Sequence, residues 1–207
     1  MVVSAVDHPV DFHALVDQGI NKPARYMGHE LGVVPRDWDQ ASVRWALTYP
    51  EIYEVGSSNL GHIILYSILN AVPGQLCDRA YLPAPDLAER LRERDQPLFA
   101  VESRRPLLAF DVLGFSLSYE LGATNILEML DLCQVPIRAA DRADLPLNDP
   151  ASVPLIFAGG PTATSNPEPY GPFFDFIALG DGEELLPEIG LVVAEAKSNG
   201  WCRSQLL

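Results

Sequence analysis

The sequence contains four short apolar runs that are continuous instead of alternating with polar residues. They are residues 43–48 (VRWALT), 111–116 (DVLGFS), 154–158 (PLIFA) and 175–179 (DFIAL). A strand with one solvated face alternates apolar and polar side chains, whereas a strand buried on both faces is apolar throughout. These runs therefore predict strands of a parallel sheet that is covered on both sides.

Helical patterns separate the apolar runs. They cover residues 60–71, 86–94, 120–134 and 183–197. Two further short segments, 79–82 and 98–101, are candidates for additional strands. Alternating strands and helices imply right-handed crossovers, so we predict a doubly wound parallel α/β sheet of about five strands.

The N-terminal part of the chain lacks this pattern. Prolines and glycines interrupt it, so we predict an irregular arm over 1–40 with a short helical piece at 11–18. The α/β domain then spans 41–200 and a tail spans 201–207. A chain of 207 residues is long enough for one such domain with its own core.

The chain is acidic, with 28 aspartates and glutamates against 14 lysines and arginines and a net charge of −14. This balance repels phosphate backbones, and we expect no nucleic-acid partner. No apolar run reaches the roughly 18 residues of a membrane span, and the first residues lack a secretory pattern, so we expect no membrane partner. Three widely spaced cysteines fit a reducing compartment, which predicts a cytoplasmic protein.

The loops that follow the apolar runs carry small and polar residues. In an open α/β sheet, ligands bind beyond the carboxyl ends of the strands, where such loops meet. Helix-start N–H groups can hold an anion there, and glycine backbones allow a flat cofactor to come close. The candidate cofactor-binding residues are Ser57, Ser58, Asn59, Gly61, His62, Ser116, Ser118, Gly159, Gly160, Gly180, Gly182 and Glu183.

Each of these features also has an ordinary structural explanation. Ser58 or Asn59 can cap the helix at 60–71, and the glycine pair can form a tight turn. Glu183 suits a helix N-terminus electrostatically, and a histidine near a helix start often serves in packing. The convergence of four loops at one edge of the sheet is what favours a binding site.

The sequence has no recognisable catalytic motif. A glycine-rich dinucleotide fingerprint does not follow the first strand, and neither a P-loop nor a G-x-S-x-G elbow occurs. A phosphate-accepting receiver needs an aspartate where Ser116 stands. The four histidines lack the spacing of metal ligands. We therefore expect no catalytic and no metal-ligating residues.

Several segments together resemble one protein family. They are residues 22–30 (KPARYMGHE), 49–66, 111–131, 159–161 (GGP), 166–169 (NPEP) and 180–184 (GDGEE). The combination is similar to radical S-adenosylmethionine (SAM) proteins that carry a cobalamin-binding-like domain ahead of a radical SAM barrel. The resemblance covers residues 20–195 and implies a flavodoxin-like, Rossmann-like fold with cobalamin as the candidate cofactor. In full-length relatives the barrel binds a [4Fe–4S] cluster and SAM.

The sequence departs from this family in two motifs. The CxxxCxxC motif, whose thiolates hold the cluster of the barrel, is absent, so we expect the chain to stop before the barrel. The Asp-x-His-x-x-Gly fingerprint of cobalamin domains is incomplete. Asp11 and His13 are followed by Val16 where the glycine belongs, and His62 lacks the flanking residues.

The resemblance and these departures predict a cofactor- or partner-binding module without catalysis of its own. A radical SAM barrel, in cis or in trans, is the expected partner. Two alternatives stay open: a non-catalytic docking module, and a stand-alone flavodoxin-like binder of another cofactor. Because the surface that meets a barrel would be uncovered, we also expect an exposed apolar patch near the C-terminal helix or the arm.

Overall fold

A parallel sheet forms the centre of the molecule. The computed structural model describes residues 8–30, 33 and 36–207. The strands are β1 (Val43–Tyr49), β2 (Gln75–Tyr81), β3 (Val112–Ser116), β4 (Leu155–Gly159) and β5 (Phe176–Ala178). Their order is β2-β1-β3-β4-β5, and neighbouring strands pair in parallel. The five parallel strands confirm the doubly wound sheet that the apolar runs predicted, and their order is the flavodoxin-like one that the family resemblance implied.

Helices connect the strands. They are α1 (Phe12–Leu15), α2 (Tyr53–Gly56), α3 (Leu60–Ala71), α4 (Pro85–Glu93), α5 (Ala123–Leu132), α6 (Pro161–Ser165), α7 (Gly182–Asn199) and α8 (Arg203–Leu206). Short 3₁₀ turns occur at Pro23–Tyr26, Leu107–Ala109, Glu120–Gly122, Ala139–Asp141 and Gly171–Phe173. The four helices expected from the sequence correspond to α3, α4, α5 and α7. Of the helices in the described residues, none is long and apolar enough to cross a membrane.

The right-handed crossovers decide which face of the sheet each helix covers. α3 and α7 pack together on one face, where Trp45, Leu69 and Val193 are buried. α4 and α5 cover the other face, where Leu91 and Met129 are buried. Burying one side chain of this kind contributes about 1.5–3 kcal/mol. Both faces of the sheet therefore contribute to stability.

The edge strand β2 starts earlier than the sequence pattern predicted. We expected a strand at 79–82, but pairing with β1 covers Gln75–Tyr81. Asp78 and Arg79 interrupt the apolar pattern, so the sequence did not indicate that the strand begins at Gln75. Both are buried because they have partners, and the Asp78 carboxylate accepts backbone N–H groups from the turn at 102–103.

The segment at 98–101 is not a regular strand, contrary to the expectation. Phe99 forms an isolated antiparallel bridge to Pro106, and Val101 donates its N–H to the Arg79 carbonyl at 2.9 Å. The segment runs beside β2 and then turns back. It thereby covers the open edge of that strand, which would otherwise present unpaired backbone groups.

The N-terminal arm packs against the body of the domain. Phe12 of α1 is buried in the core, and the expected helical piece is limited to α1. Glu30 pairs with Arg79 at 2.8 Å, and Arg79 also binds Glu102 at 2.7 Å. The arm is therefore fastened to the edge strand by an ion pair. Residues 1–7, 31–32 and 34–35 of the predicted arm lie outside the described residues.

The C-terminal residues 201–207 are packed on the domain. Leu147 donates its N–H to the Trp201 carbonyl at 2.9 Å. Arg203 of α8 is buried, and its Nη1 lies 2.5 Å from Oδ2 of Asp175. The segment that the sequence suggested as a tail is thus held to the sheet by a buried ion pair.

A buried carboxylate joins two arginines at this place. The Asp175 side chain is 1% exposed, and its Oδ2 lies 3.2 Å from Nη1 of Arg142 as well as next to Arg203. The same oxygen accepts the N–H of Ile156 at 2.7 Å. One carboxylate thus balances two guanidinium groups beside β4.

We predict that Asp175→Asn lowers the free energy of unfolding by about 3–5 kcal/mol, because it leaves two buried guanidinium groups without a counter-charge. Asp131→Asn is the matched control, since its pair with Arg92 is exposed and such pairs contribute about 0–1 kcal/mol. Urea unfolding followed by circular dichroism measures both variants. Similar small losses at the two positions would show that the buried pair is not needed for stability.

Candidate functional site

The loops after β1, β3, β4 and β5 meet at the carboxyl edge of the sheet. Because β1 lies between β2 and β3, the connections that leave β1 and β3 diverge to opposite faces and open a crevice. A cavity of about 180 Å³ lies in this crevice, at the N-termini of α3 and α7. We refer to it as the carboxyl-edge cavity.

Apolar side chains of neighbouring strands form the floor of the carboxyl-edge cavity. Leu47, Gly114 and Phe157 stand at the same register in β1, β3 and β4. A Cβ atom on Gly114 would come within 2.6 Å of the Phe157 ring, so the glycine makes room for that ring. The Phe157 ring also stacks on Phe176, with centroids 5.1 Å apart. The floor is therefore flat and apolar.

Most of the residues predicted from the sequence line this cavity. They are Asn59, Gly61, His62, Ser116, Ser118, Gly159, Gly160, Gly180 and Gly182. Ser57, Ser58 and Glu183 lie outside its lining. The Ser58 hydroxyl donates to the Val55 carbonyl at 3.0 Å, and Glu183 is exposed in the first turn of α7. These three residues are therefore not part of the cavity wall.

Asn59 combines a capping role with a place in the wall. Its Oδ1 accepts the backbone N–H of His62 at 2.9 Å, which confirms the predicted cap of α3. Its Nδ2 donates to the Tyr49 hydroxyl at 3.3 Å, and that hydroxyl lies 3.1 Å from Oγ of Ser118. These contacts tie the loop after β1 to the loop after β3.

The glycine pair after β4 serves two purposes. Gly160 has a φ of 111°, and a Cβ atom there would lie 2.8 Å from the Leu117 carbonyl oxygen, so the tight turn requires glycine. Gly159 has an ordinary φ and stands on the same face of β4 as Phe157, because side chains alternate along a strand. Its missing side chain leaves space in the cavity.

His62 is the unusual polar residue of the wall. His62 is only 2% exposed, and neither ring nitrogen has a hydrogen-bond partner in the part of the chain that the structure describes. The ring lies between Tyr49 and Tyr81, with centroid distances of 5.7 Å to each. Burial, together with the nearby Arg79 charge, lowers the pKa of His62 to about 3. The imidazole is therefore neutral at physiological pH.

The sequence patterns missed several residues in the lining of the site and behind it. Tyr49 and Tyr81 end β1 and β2, and they come together because the parallel register places them opposite each other. The floor residues Leu47 and Phe157 belonged to predicted strands but were not assigned to the site. Gly114 could have indicated that these residues belong to the site, since a glycine inside a strand often marks a place where a ligand or another backbone comes close.

The carboxyl-edge cavity has an uncharged lining. Among the described residues around it, none is an aspartate, glutamate, lysine or arginine. A larger cavity of about 310 Å³ lies at the opposite, amino edge, where Arg44, Asp111 and Lys197 line it. There Lys197 is already paired with Asp111 at 2.7 Å, and the strand order does not open a crevice at that edge. The carboxyl-edge cavity is therefore the candidate site.

Comparison with protein families adds an independent observation. The family of radical SAM proteins, N-terminal domain, matches residues 61–207. The chain belongs to this family. The matched part of this radical SAM N-terminal domain begins inside α3 and includes the loops after β3, β4 and β5, which supply much of the cavity wall. A comparison with curated proteins finds no match.

The cysteines of this domain do not fit an iron–sulfur cluster. Cys77 lies in β2, Cys133 follows α5 and Cys202 precedes α8, and the first two are buried. Within the described ranges, no group of three histidine, cysteine, aspartate or glutamate side chains is placed to hold a metal ion. A cluster needs thiolates that converge on one open site. The described residues therefore offer no site that would hold such a cluster.

We predict that His62 makes the domain less stable in mild acid. The unfolded histidine has a pKa near 6.5, above the native value of about 3, so protons favour the unfolded chain as the pH falls below about 6.5. Between about pH 7.5 and about pH 5.5 this group alone costs about 1.4 kcal/mol. His62→Phe keeps a flat ring between the tyrosines and removes this loss.

Urea titrations of the wild type and of His62→Phe at the two pH values measure this difference. Contributions from the other titrating groups cancel between the two proteins. If both lose the same stability on acidification, His62 takes up a proton in the native state, and its burial as a neutral ring is contradicted.

Proposed function

We propose that this domain is a cofactor-binding module of a radical SAM protein, with the carboxyl-edge cavity as its site and no catalysis of its own. The observation that carries the proposal is the convergence of four loops on one cavity at the β1/β3 switch point. A radical SAM barrel, in cis or in trans, is the proposed partner. The free cysteines favour a reducing compartment, which is the cytoplasm.

Cobalamin is the proposed cofactor, and the cavity fits one part of it. Pockets that enclose a drug-sized ligand, which is smaller than cobalamin, have volumes of about 300–1,000 Å³. The carboxyl-edge cavity has about 180 Å³, which is room for one flat ring system. We propose that Ser116, Ser118 and the backbone of Gly159 hold the enclosed part, while the rest of the cofactor stays outside, over the loops.

Cobalamin binding of this kind does not use His62 as a cobalt ligand. The His62 ring is buried between Tyr49 and Tyr81, so a metal outside the cavity does not reach its nitrogens. The sequence also lacks the residues that accompany a ligating histidine in the cobalamin fingerprint. Both observations favour a cofactor held by its organic part.

The uncharged lining requires that a phosphate of the cofactor stays outside the carboxyl-edge cavity. Burying a charge without a counter-charge is costly, and among the described residues of the lining none supplies a cation. Cobalamin, flavin mononucleotide and nucleotides all carry a phosphate, so the lining does not choose between them. The family match favours a domain of a radical SAM protein over a stand-alone binder.

Exposed apolar side chains favour a docking role beside cofactor binding. Leu60 and Ile64 are exposed on α3, and Leu191 and Val192 are exposed on the neighbouring α7. These side chains lie where the sequence led us to expect an apolar patch, near the C-terminal helix. α3 and α7 also border the cavity, so one partner can contact these helices and a ligand at the same time.

We predict that Gly159→Leu weakens binding of hydroxocobalamin at least about tenfold, equivalent to about 1.4 kcal/mol. The new side chain occupies the cavity, and its Cβ atom would stand 3.5 Å from the nearest atom, the Ala178 carbonyl oxygen, without strain. Gly159→Ala is the matched control, because a single methyl group leaves most of the volume free. We expect it to bind like the wild type.

Equilibrium dialysis with absorbance detection measures the three dissociation constants, and thermal melts show that each protein is folded. Absence of cobalamin binding by the wild type at high protein concentration would favour the docking module. A leucine variant that binds as well as the alanine variant would place the cofactor elsewhere.

A further inference from the structure

We infer that the outer side of α3 and α7 docks a basic amphipathic helix of a partner protein. The inference rests on the docking role in the proposed function and specifies the chemistry of the partner. We refer to this outer side as the α3/α7 surface. Its exposed apolar side chains are Leu60, Ile63, Ile64, Leu191 and Val192. None of these five residues lines the carboxyl-edge cavity.

α3 carries no charged residue on any of its sides. Its sequence is LGHIILYSILNA, and Tyr66 and Leu69 are buried on its inner side. On its outer side, Leu60 is 69% exposed and Ile64 is 37% exposed. A surface helix normally has charged or polar residues toward solvent, whereas a helix that is apolar all round is normally buried. The composition of α3 therefore indicates that a partner covers its outer side.

The helices on the opposite face of the sheet have a solvated outer side. Glu89 and Glu93 of α4 are exposed, and Arg92 pairs with Glu128 and Asp131 of α5. Within α4 and α5, both of which the structure describes in full, no large apolar side chain is exposed. An apolar outer side therefore distinguishes α3 and α7 from the helices on the other face.

Glutamates flank the apolar side chains of α7. Glu184, Glu188, Leu191 and Glu195 are exposed, and their spacing of three or four residues places them on one side of the helix. The lysine of α7, Lys197, is already held in an ion pair. The α3/α7 surface thus combines apolar side chains with negative charge that has no counter-charge on α3 or α7. A complementary partner presents apolar residues flanked by lysines or arginines.

A helix suits this surface better than the other possible occupants. α3 and α7 lie side by side, and two such helices leave a groove in which a third helix can pack. A second copy of the chain would bring a second set of glutamates to the interface, with Lys197 as the only cation of either helix. An anionic membrane would repel the same glutamates.

Three synthetic peptides test the inference on the full chain. Each has 18 residues, the length of α7. The first has leucines on one helical face and lysines beside them, the second has the same composition with the leucines spread around the helix, and the third has glutamates in place of the lysines. We expect calorimetric titration to show that the first peptide binds at least about tenfold more tightly than either of the others.

Serine substitutions locate the contact. Ile64 on α3 and Ile137 in the loop after α5 are both 37% exposed, so Ile64→Ser and Ile137→Ser are matched. We expect Ile64→Ser to weaken binding of the first peptide at least about threefold and Ile137→Ser to leave it unchanged. Leu191→Ser, at a position 61% exposed, is a second surface variant with less effect on the fold. Thermal melts show that each variant is folded.

Glutamine substitutions separate local complementarity from the overall negative charge. Glu188→Gln/Glu195→Gln removes two charges from the α3/α7 surface, and Glu89→Gln/Glu93→Gln removes two from the exposed side of α4. Both double variants have the same net charge. We expect the first to weaken binding of the basic peptide at least about threefold more than the second, because close charge pairs outweigh distant ones.

Several results would overturn the inference. Equal binding of the three peptides, or equal effects of the surface and control variants, would show that this surface does not recognise a basic amphipathic helix. A dimer of the full chain in sedimentation velocity that Ile64→Ser dissociates would make a second copy the occupant. Binding to vesicles of phosphatidylcholine and phosphatidylglycerol that Ile64→Ser removes would make a membrane the occupant.

The peptide test is independent of cofactor binding, because the α3/α7 surface and the cavity lining are different sets of residues. If the basic peptide binds as expected while cobalamin does not, the inference stands and the proposed cofactor fails. If cobalamin binds while the three peptides do not differ, the cofactor stands and the inference fails. The two failures are therefore distinguishable.

Discussion

Parallel pairing on both sides of β1 is the constraint from which the site follows. Because β2 and β3 flank β1, right-handed crossovers send the connections after β1 and β3 to opposite faces, and their loops diverge. α3 and α7 then meet over the face on which Leu47 and Phe157 stand, and their first turns border the crevice. A different strand order would separate the loops that line the cavity.

The N-terminal arm takes part in holding the buried imidazole. The Tyr53 hydroxyl donates to Glu30 of the arm at 2.5 Å, and the Tyr53 ring lies 5.4 Å from that of Tyr81. Tyr81 contacts His62, which in turn contacts Tyr49, and the Tyr49 hydroxyl contacts Asn59 and Ser118 of the cavity lining. A continuous column of rings thus runs from the arm to the site. The ion pair between the arm and the edge strand therefore supports the geometry of the wall as well as the fold.

The strands that could be predicted from the sequence are those whose burial needs no specific partner. Apolar runs identified β1, β3, β4 and β5, because a strand covered on both faces must be apolar. Only the end of β2 was identified, since Asp78 and Arg79 are buried through contacts with residues distant in the sequence. The rule that ligands bind at the carboxyl edge of the sheet predicted where the site lies. The burial of His62 could not be predicted, because it depends on the rings of Tyr49 in β1 and Tyr81 in β2, which are distant in the sequence.

A ligand bound in the carboxyl-edge cavity would cover the loops that line it. Hydrogen–deuterium exchange of the full chain, with and without hydroxocobalamin, reports where the ligand lies. We expect slower exchange in the loops at 51–62, 116–122, 159–165 and 180–184, and no change at the amino edge around Lys197. Protection at the amino edge, or unchanged exchange throughout the chain, would contradict binding in this cavity.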